Sequence, residues 1–174
     1  MRWTVHGERD LYESEWIRLS LVDVETSTTR YEHHAVHAPD AAAVLVVDPD
    51  RGVLLLWRHR FLAEEWAWEI PGGMIDGDET PIDAGRRECI EETGWAPGPM
   101  RLLYRFRPIA GLSSQTFWAF VADGAEQVGT PDPDESERVE WVPMAEFRRL
   151  LAANQMLDGL TVVAGLRFLA ELES

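Results

Sequence analysis

The sequence predicts a layered fold of the α+β or α/β class, and three observations lead to this prediction. Short apolar or alternating segments, typical of strands, recur between turn signals along most of the chain. One capped helical segment interrupts them near the middle, and two more helical segments follow the last strand. Strands interleaved with helices pack as layers around one core, and a chain of 174 residues with 45% hydrophobic content is long enough to form it.

The first two predicted strands form an extension over residues 1–40. Residues 16–25 alternate apolar and polar side chains, residues 31–37 repeat the pattern more weakly, and a turn joins the two segments. A two-stranded ribbon is only marginally stable by itself in water. We therefore expect this extension to need a partner surface, and we predict that it builds a homodimer.

Turn residues delimit the next strands, which begin the domain predicted over residues 41–174. An apolar run over 42–48 ends in the turn signal DPDRG, so that residues 53–57 complete a hairpin. A strand over 66–70 stops at Pro71-Gly72-Gly73. Further strands are predicted at 100–106, 115–122 and 138–142.

Capping residues delimit the central helix. Thr80 stands before Pro81 as an N-cap residue stands before a first-turn proline, and Gly94 supplies a left-handed end. A helix is therefore predicted over residues 81–93. Two later helices are predicted at 143–151 and 160–172.

The central helix carries three carboxylates on one face. Glu88, Glu91 and Glu92 are three and four residues apart, so their side chains are neighbours and their like charges repel. Such a cluster is tolerated if it is fully solvated or if a divalent cation neutralises it. Oxygen-only ligands favour Mg²⁺ or Mn²⁺ over Zn²⁺.

The segment that contains these glutamates, GMIDGDETPIDAGRRECIEETGW over residues 73–95, resembles the Nudix box of the Nudix hydrolases. Those enzymes cleave nucleoside diphosphates that are linked to a second moiety. The resemblance implies an α/β/α sandwich with a mixed sheet between helices, and Cys89 and Trp95 are its two unusual apolar residues. Its charged and glycine positions are all present, namely Gly73, Glu79, Arg87, Glu88, Glu91, Glu92 and Gly94.

The resemblance assigns a metal site to the box. It implies that Glu88 and Glu92 bind Mg²⁺, or alternatively Mn²⁺, together with the carbonyl oxygen of Gly72. Glu91 is a third ligand or an outer group, and Glu91 and Glu92 belong to the catalytic set.

The resemblance gives the other box residues structural roles. It implies that Arg87 points away from the metal face and pairs with Glu79, which holds the loop against the helix. Gly73 and Gly94 shape the turns on either side of that helix.

Flanking residues resemble the ADP-ribose pyrophosphatases and related nucleotide-sugar hydrolases. The segments LWRHR (residues 56–60) and WEIPGG (residues 68–73) carry this likeness, and it implies that Arg58, Arg60 and Glu69 bind substrate. The N-terminal strands also match that branch, in which they cross to a second subunit. The branch often has glutamate where this chain has Gln115, so no role is assigned there.

A general base is expected in a late acidic loop, as in that branch of the family. Glutamates committed to a metal are poor bases, and the amide of Gln115 accepts no proton near neutral pH. The loop holds Asp132, Asp134, Glu135 and Glu137, of which Glu135 matches best. We therefore predict that Glu135 takes the proton of the attacking water.

Composition excludes several partners. The net charge is −15 and all sixteen basic residues are arginine, so a nucleic-acid partner is not expected. No apolar run reaches the roughly 18 residues of a membrane span. The N-terminus does not resemble a signal peptide, and Cys89 is the only cysteine, so a cytoplasmic location is expected.

The leading functional prediction is a metal-dependent hydrolase of a small nucleotide, namely ADP-ribose or a related nucleoside diphosphate sugar. The products would be a nucleoside monophosphate and a sugar phosphate. A hydrolase of another nucleoside diphosphate derivative, such as a dinucleotide or a nucleoside triphosphate, stays open. A non-catalytic ligand sensor is the third alternative.

Overall fold

The computed structural model describes residues 2–173, and the chain divides into two compact units. The first unit joins the residues up to Asp40 with the segment Arg107–Thr116, and the second comprises Ala41–Phe106 and the residues from Phe117 onward. The sequence does not indicate that Arg107–Thr116 belongs with the N-terminal strands. Within residues 2–173, no helix has the length and apolar character that crossing a membrane requires.

The first unit contains a three-stranded antiparallel sheet. Its strands are β1 (Thr4–Glu13), β2 (Arg18–Glu25) and β3 (Arg30–His37), in that order. The expected two-stranded ribbon is therefore wrong, because β1 adds a third strand. All ten residues of β1 are exposed, so it has no apolar face that could have predicted it.

The inserted segment is hydrogen-bonded to the end of this sheet. The amide N–H of Val36 donates to the carbonyl oxygen of Leu112 at 2.9 Å. His33 Nε2 lies 2.8 Å from the carbonyl oxygen of Gly111. The side-chain amide of Gln115 donates to the carbonyl oxygen of Pro39 at 2.6 Å, a bond that the glutamate common in the family could not donate.

The second unit is built on a mixed seven-stranded sheet. Five of its strands lie in the order β12-β5-β4-β10-β9. In addition, β6 pairs with β5 and β7 pairs with β4. Within this sheet the pair β4 and β10 is parallel and the other pairs are antiparallel. A small sheet pairs β8 with β11. The strands are β4 (Ala41–Asp48), β5 (Gly52–Arg60), β6 (Glu65–Glu69), β7 (Gly72–Met74), β8 (Trp95–Pro97), β9 (Met100–Phe106), β10 (Phe117–Asp123), β11 (Ala125–Gln127) and β12 (Arg138–Val142).

Three helices cover the two faces of this sheet. They are α1 (Pro81–Thr93), α2 (Met144–Ala152) and α3 (Gly159–Leu172). Thr80 caps α1 by accepting a hydrogen bond from the Asp83 N–H, and Gly94 ends it with φ of 73°.

The core has two hydrophobic clusters, one on each face of the central sheet. One cluster joins Val44 of β4 to α1, and the other joins Leu45 to Phe147 of α2 and Phe168 of α3. Successive residues of β4 thus face opposite helical layers. This arrangement confirms the α/β/α sandwich.

Candidate active site

The Gly72–Gly73 turn brings backbone against two glutamates of α1. The Gly72 N–H donates to Glu92 Oε2 at 2.7 Å. A Cβ atom at Gly73 would stand 2.5 Å from Glu88 Oε1, so a larger residue there would push the Glu88 carboxylate aside. A Cβ atom at Gly72 would stand 2.5 Å from the carbonyl oxygen of Ala42, which is fixed backbone, so that position requires glycine.

Glu92 is almost fully buried, with 3% of its surface exposed. Its Oε1 accepts a hydrogen bond of 2.5 Å from Arg58 Nη2, while Oε2 accepts the Gly72 N–H. Burial raises the pKa of Glu92 to about 7, although Arg58 and the Gly72 N–H favour the ionised form. A carboxylate in this setting gains strongly from any cation that approaches it.

Glu88 is the second enclosed carboxylate of the cluster. Burial raises its pKa, while its contact with Arg87 opposes that shift. Glu91 is more than half exposed, and its Oε2 lies 3.0 Å from Arg87 Nη1. The three box glutamates therefore differ: two lie within the fold and one lies at its surface.

Arg87 links the loop and the helix, but it does not point away from the glutamates. Its Nε donates to Glu79 Oε1 at 2.9 Å, which is the expected pair. Its Nη1 donates to Glu88 Oε1 at 2.8 Å and also to Glu91. The expectation that Arg87 avoids the glutamate face is wrong, because a guanidinium has enough donors to serve the loop and the helix together.

The donor set suits a hard cation. Glu88 and Glu92 provide carboxylate oxygens beside the backbone of Gly72 and Gly73, and oxygen ligands are those that Mg²⁺ and Mn²⁺ prefer. Within residues 2–173, no three acidic, histidine or cysteine side chains are already gathered as a cation site. Arginines pair with these carboxylates instead: Arg58 pairs with Glu92, and Arg87 pairs with Glu88 and Glu91.

The predicted base lies beside this cluster. Glu135 Oε2 is 3.5 Å from Arg58 Nη2, and the Glu135 side chain is about half exposed, at 51%. Its loop is fixed on both sides: the Asp132 N–H donates to the carbonyl oxygen of Glu91, and the Glu137 N–H donates to that of Trp57. The loop is thus attached both to α1 and to β5.

Arg60 and Glu69 form an ion pair of their own. Glu69 is buried, and it accepts hydrogen bonds from Nε and Nη2 of Arg60, whose side chain is half exposed. Arg60 also experiences the charge of Glu92, which helps to raise its pKa after the larger contribution of Glu69. About half of the Arg60 side chain is open to solvent beyond its pair with Glu69.

The direct contact between Arg58 and Glu92 is the feature that sequence reasoning missed. Alternation along β5 could have indicated it, because Arg58 is four residues from Leu54, which belongs to the cluster on the α1 face. The same alternation places Trp57 on the other face. There, Trp57, Trp66 and Trp68 line a cavity of about 320 Å³ with Glu65 and with Leu150 of α2, and none of the box glutamates lines it.

Comparisons with known proteins agree with this geometry. The model of the NUDIX domain family matches residues 37–160. The chain is 38% identical, over 95% of its length and 84% of the relative, to the CMP-5'-(N-acetyl-N-hydroxy-3-aminopropyl)phosphonate hydrolase of Streptomyces rubellomurinus. It is 25% identical to the ADP-ribose pyrophosphatase of Bacillus subtilis, over 91% of this chain and 88% of that one.

The same fold is found among solved structures. A protein described as an ADP compounds hydrolase matches with a TM-score of 0.83 and 21% identity, over 99% of this chain and 95% of that one. The chain belongs to the Nudix hydrolase family. The predicted enzyme class, a Nudix pyrophosphohydrolase, is thereby confirmed.

Proposed function

We propose that this chain is a Mg²⁺-dependent pyrophosphohydrolase that acts on ADP-ribose or a related nucleoside diphosphate sugar. The products are a nucleoside monophosphate and a sugar phosphate. One observation carries the proposal: the buried carboxylate of Glu92 and the partly buried carboxylate of Glu88 meet the Gly72–Gly73 backbone beside Arg58. The relative in Bacillus subtilis named ADP-ribose pyrophosphatase supports this substrate class.

The residues divide the work of hydrolysis. Glu88, Glu92 and the Gly72 backbone would hold Mg²⁺, with Glu91 at the exposed side as an outer group. A bound Mg²⁺ supplies charge that stabilises the leaving phosphate oxygen and acidifies water.

Side chains around that centre handle the substrate and the proton. Arg58 and Arg60 neutralise phosphate oxygens, and Glu69 fixes the orientation of Arg60. Glu135 accepts the proton of the attacking water. Water adds across the P–O–P linkage, so that one phosphorus gains the hydroxyl oxygen and the other keeps the bridging oxygen.

A CMP-linked phosphonate is the second candidate substrate. The observation that favours it is the 38% identity, over 95% of this chain, to the Streptomyces enzyme named for such a compound. The proposed residues act on the phosphorus anhydride and leave either attached group unspecified. A dinucleotide or a nucleoside triphosphate uses the same chemistry. A purely ligand-sensing role is disfavoured, because it gives no reason to bury Glu92 beside the partly buried Glu88.

A substrate panel tests the proposal. ADP-ribose, GDP-mannose, a CMP-linked phosphonate, a dinucleotide and ATP are each incubated with the protein and Mg²⁺, and products are separated by chromatography. We expect the highest kcat/KM for ADP-ribose or another nucleotide sugar, and none in EDTA. The highest value for the CMP-linked phosphonate would select the second candidate, whereas no turnover of any compound would favour the sensor.

We further propose a homodimer built through the first unit. Strand β1 is the edge of its sheet, and it exposes apolar side chains at Val5, Leu11 and Tyr12. An unpaired edge with apolar side chains is suited to association with a second chain. Light scattering at micromolar concentration should give twice the chain mass of 19.8 kDa. A monomer mass there would reject the dimer.

We also propose a cytoplasmic location. The only cysteine, Cys89, is buried, so the chain forms no internal disulfide of the kind that stabilises many secreted domains. Cell fractionation with an antibody should recover the protein in the cytoplasmic fraction. Recovery in the medium or with membranes would contradict the proposal.

A further inference from the structure

Arg58 lies between two of the carboxylates that the proposed reaction needs. Its Nη2 is 2.5 Å from Glu92 Oε1 and 3.5 Å from Glu135 Oε2. The Arg58 side chain is only 9% exposed, so these contacts form in a region with little solvent. A single guanidinium therefore neutralises the proposed metal ligand and also attracts the proposed base.

The Arg58 guanidinium is not fully satisfied where it stands. Its Nε is buried and has no hydrogen-bond acceptor in the part of the chain that the structure describes. A buried donor without an acceptor is unfavourable, and nearly all such donors in proteins find one. Moving Arg58 out of this position consequently costs less free energy than moving an arginine whose donors are all hydrogen-bonded.

Each oxygen of Glu92 already accepts a hydrogen bond. Oε2 accepts from the backbone N–H of Gly72, and Oε1 accepts from the side chain of Arg58. A divalent cation that binds Glu92 repels the positive guanidinium but not the neutral N–H. Arg58 is therefore the partner that a cation replaces.

We propose that Arg58 is the resident counter-ion of Glu92 and that a divalent metal displaces it from Oε1. This inference rests on the proposed metal site at Glu88 and Glu92. Displacement frees the guanidinium for phosphate oxygens, which can also satisfy its Nε. Metal binding therefore favours nucleotide binding, and Arg58 is a positioning residue that couples the two binding events.

Thermal unfolding tests this exchange without any substrate. Wild type, Arg58→Met and Arg60→Met are melted at one pH in EDTA and in saturating Mg²⁺. Arg60→Met is the matched control, because it removes the same charge two residues along β5 but breaks a pair with Glu69.

In EDTA we expect both variants to melt about 5 °C or more below wild type, since each leaves a buried carboxylate unpaired. In Mg²⁺ the melting temperature of Arg58→Met should differ from that of wild type by less than about half of the difference seen in EDTA, because the metal now neutralises Glu92. The deficit of Arg60→Met should change much less, because the main partner of Arg60 is Glu69.

The two proposals fail in different ways. If Mg²⁺ does not raise the melting temperature of wild type, the metal site itself is wrong. If Mg²⁺ stabilises wild type and the deficit of Arg58→Met stays constant or grows, only the exchange is wrong. If Mg²⁺ reduces the stability difference between Arg58→Met and wild type, linkage requires that Arg58→Met bind Mg²⁺ more tightly than wild type does. Isothermal titration calorimetry measures these two affinities independently.

A measurement on wild type covers the case in which Arg58→Met does not fold. In ¹⁵N NMR spectra, the Nε–H signal of Arg58 is assigned by its absence from Arg58→Lys. Titration with Mg²⁺ should shift this signal, while the Nε–H signal of Arg138, which pairs with Glu140 on the surface, stays in place. An unmoved Arg58 signal at saturating Mg²⁺ would overturn the exchange.

Discussion

Arginine–carboxylate pairs in the two units have the same chemistry but very different surroundings. On the N-terminal sheet, Arg9 and Glu32 form a two-point pair whose side chains are 57% and 49% exposed. In the second unit, Arg58 and Glu92 are 9% and 4% exposed. Arg9 lowers the pKa of Glu32, whereas burial raises that of Glu92 despite its arginine.

The difference shows what burial does to an ion pair. Exposed pairs are already solvated, so they contribute little to folding and nothing to chemistry. A buried carboxylate is costly to the fold and strongly attracts any cation. Four predictions follow the contrast from its largest expected effect to its smallest.

Glu92→Gln should lower kcat/KM by about 10³-fold or more. A bound metal contributes several kcal/mol to such a transition state, and the amide is a poor ligand for it. Steady-state kinetics in Mg²⁺ measures the loss, and Glu32→Gln in the exposed pair should keep full activity. Near-normal turnover by Glu92→Gln would remove Glu92 from the metal site.

Glu135→Gln should lower kcat by about 10²-fold, within the usual range for a general base. The measurement is kcat at saturating Mg²⁺, with nucleotide binding checked by calorimetry. Glu137→Gln is the control, since Glu137 is on the same loop and its described attachment is through its backbone N–H. A loss below about tenfold would place the base elsewhere.

In EDTA, the stability of the protein should fall as the pH rises from 4.5 to about 7. The pKa of Glu92 moves from its ordinary 4.5 to about 7 on folding, so the folded state holds a proton that the unfolded state has released. Its contribution is fully present below pH 4.5 and is lost as the pH passes 7, on the order of 3 kcal/mol in total.

Urea unfolding at several pH values measures this slope, and Glu92→Gln should flatten it. The exposed Glu32 should change the stability with pH in the opposite direction. Because folding lowers its pKa, its stabilising contribution is present above its ordinary pKa and is lost as the pH falls. An unchanged slope in Glu92→Gln would assign the effect to other groups.

Arg9→Gln should leave the melting temperature within about 1 °C of wild type, because exposed ion pairs are weak and are screened by salt. Calorimetry in low and high salt measures the difference. A large deficit would mean that this pair is shielded from water, for example within the proposed dimer interface.

The sequence predicted the longer strands and the three helices of the second unit, because these have strong local signals, but it did not predict the three-residue strands β7, β8 and β11. Thr80, Pro81 and Gly94 mark the ends of α1, and the structure agrees with them. Strand β1 escaped prediction because its residues TVHGERDLYE bury no face. Hydrogen bonding to the next strand, β2, defines it, and the periodicity of its own residues does not reveal that pairing.

The sequence predicted which residues form the candidate site but not the contacts between residues that are distant in the chain. Spacing along α1 brings the glutamates together, so Glu88, Glu91 and Glu92 were found from the sequence. The contacts of Arg58 with Glu92 and Glu135 join residues that are far apart in the chain. Only the tertiary fold brings β5, α1 and the loop of Glu135 close enough to form them. The family resemblance likewise gave Arg87 one partner, whereas the structure gives it several.

The segment Arg107–Thr116 has a practical consequence for anyone who trims this protein. It leaves the second unit after β9, bonds to His33, Val36 and Pro39, and returns to begin β10. A shortened chain that starts at Ala41 would keep this excursion and lose every one of those three partners. Removal of the first unit therefore requires two deletions, one of the residues up to Asp40 and one of Arg107–Thr116, with a short turn in place of the second segment.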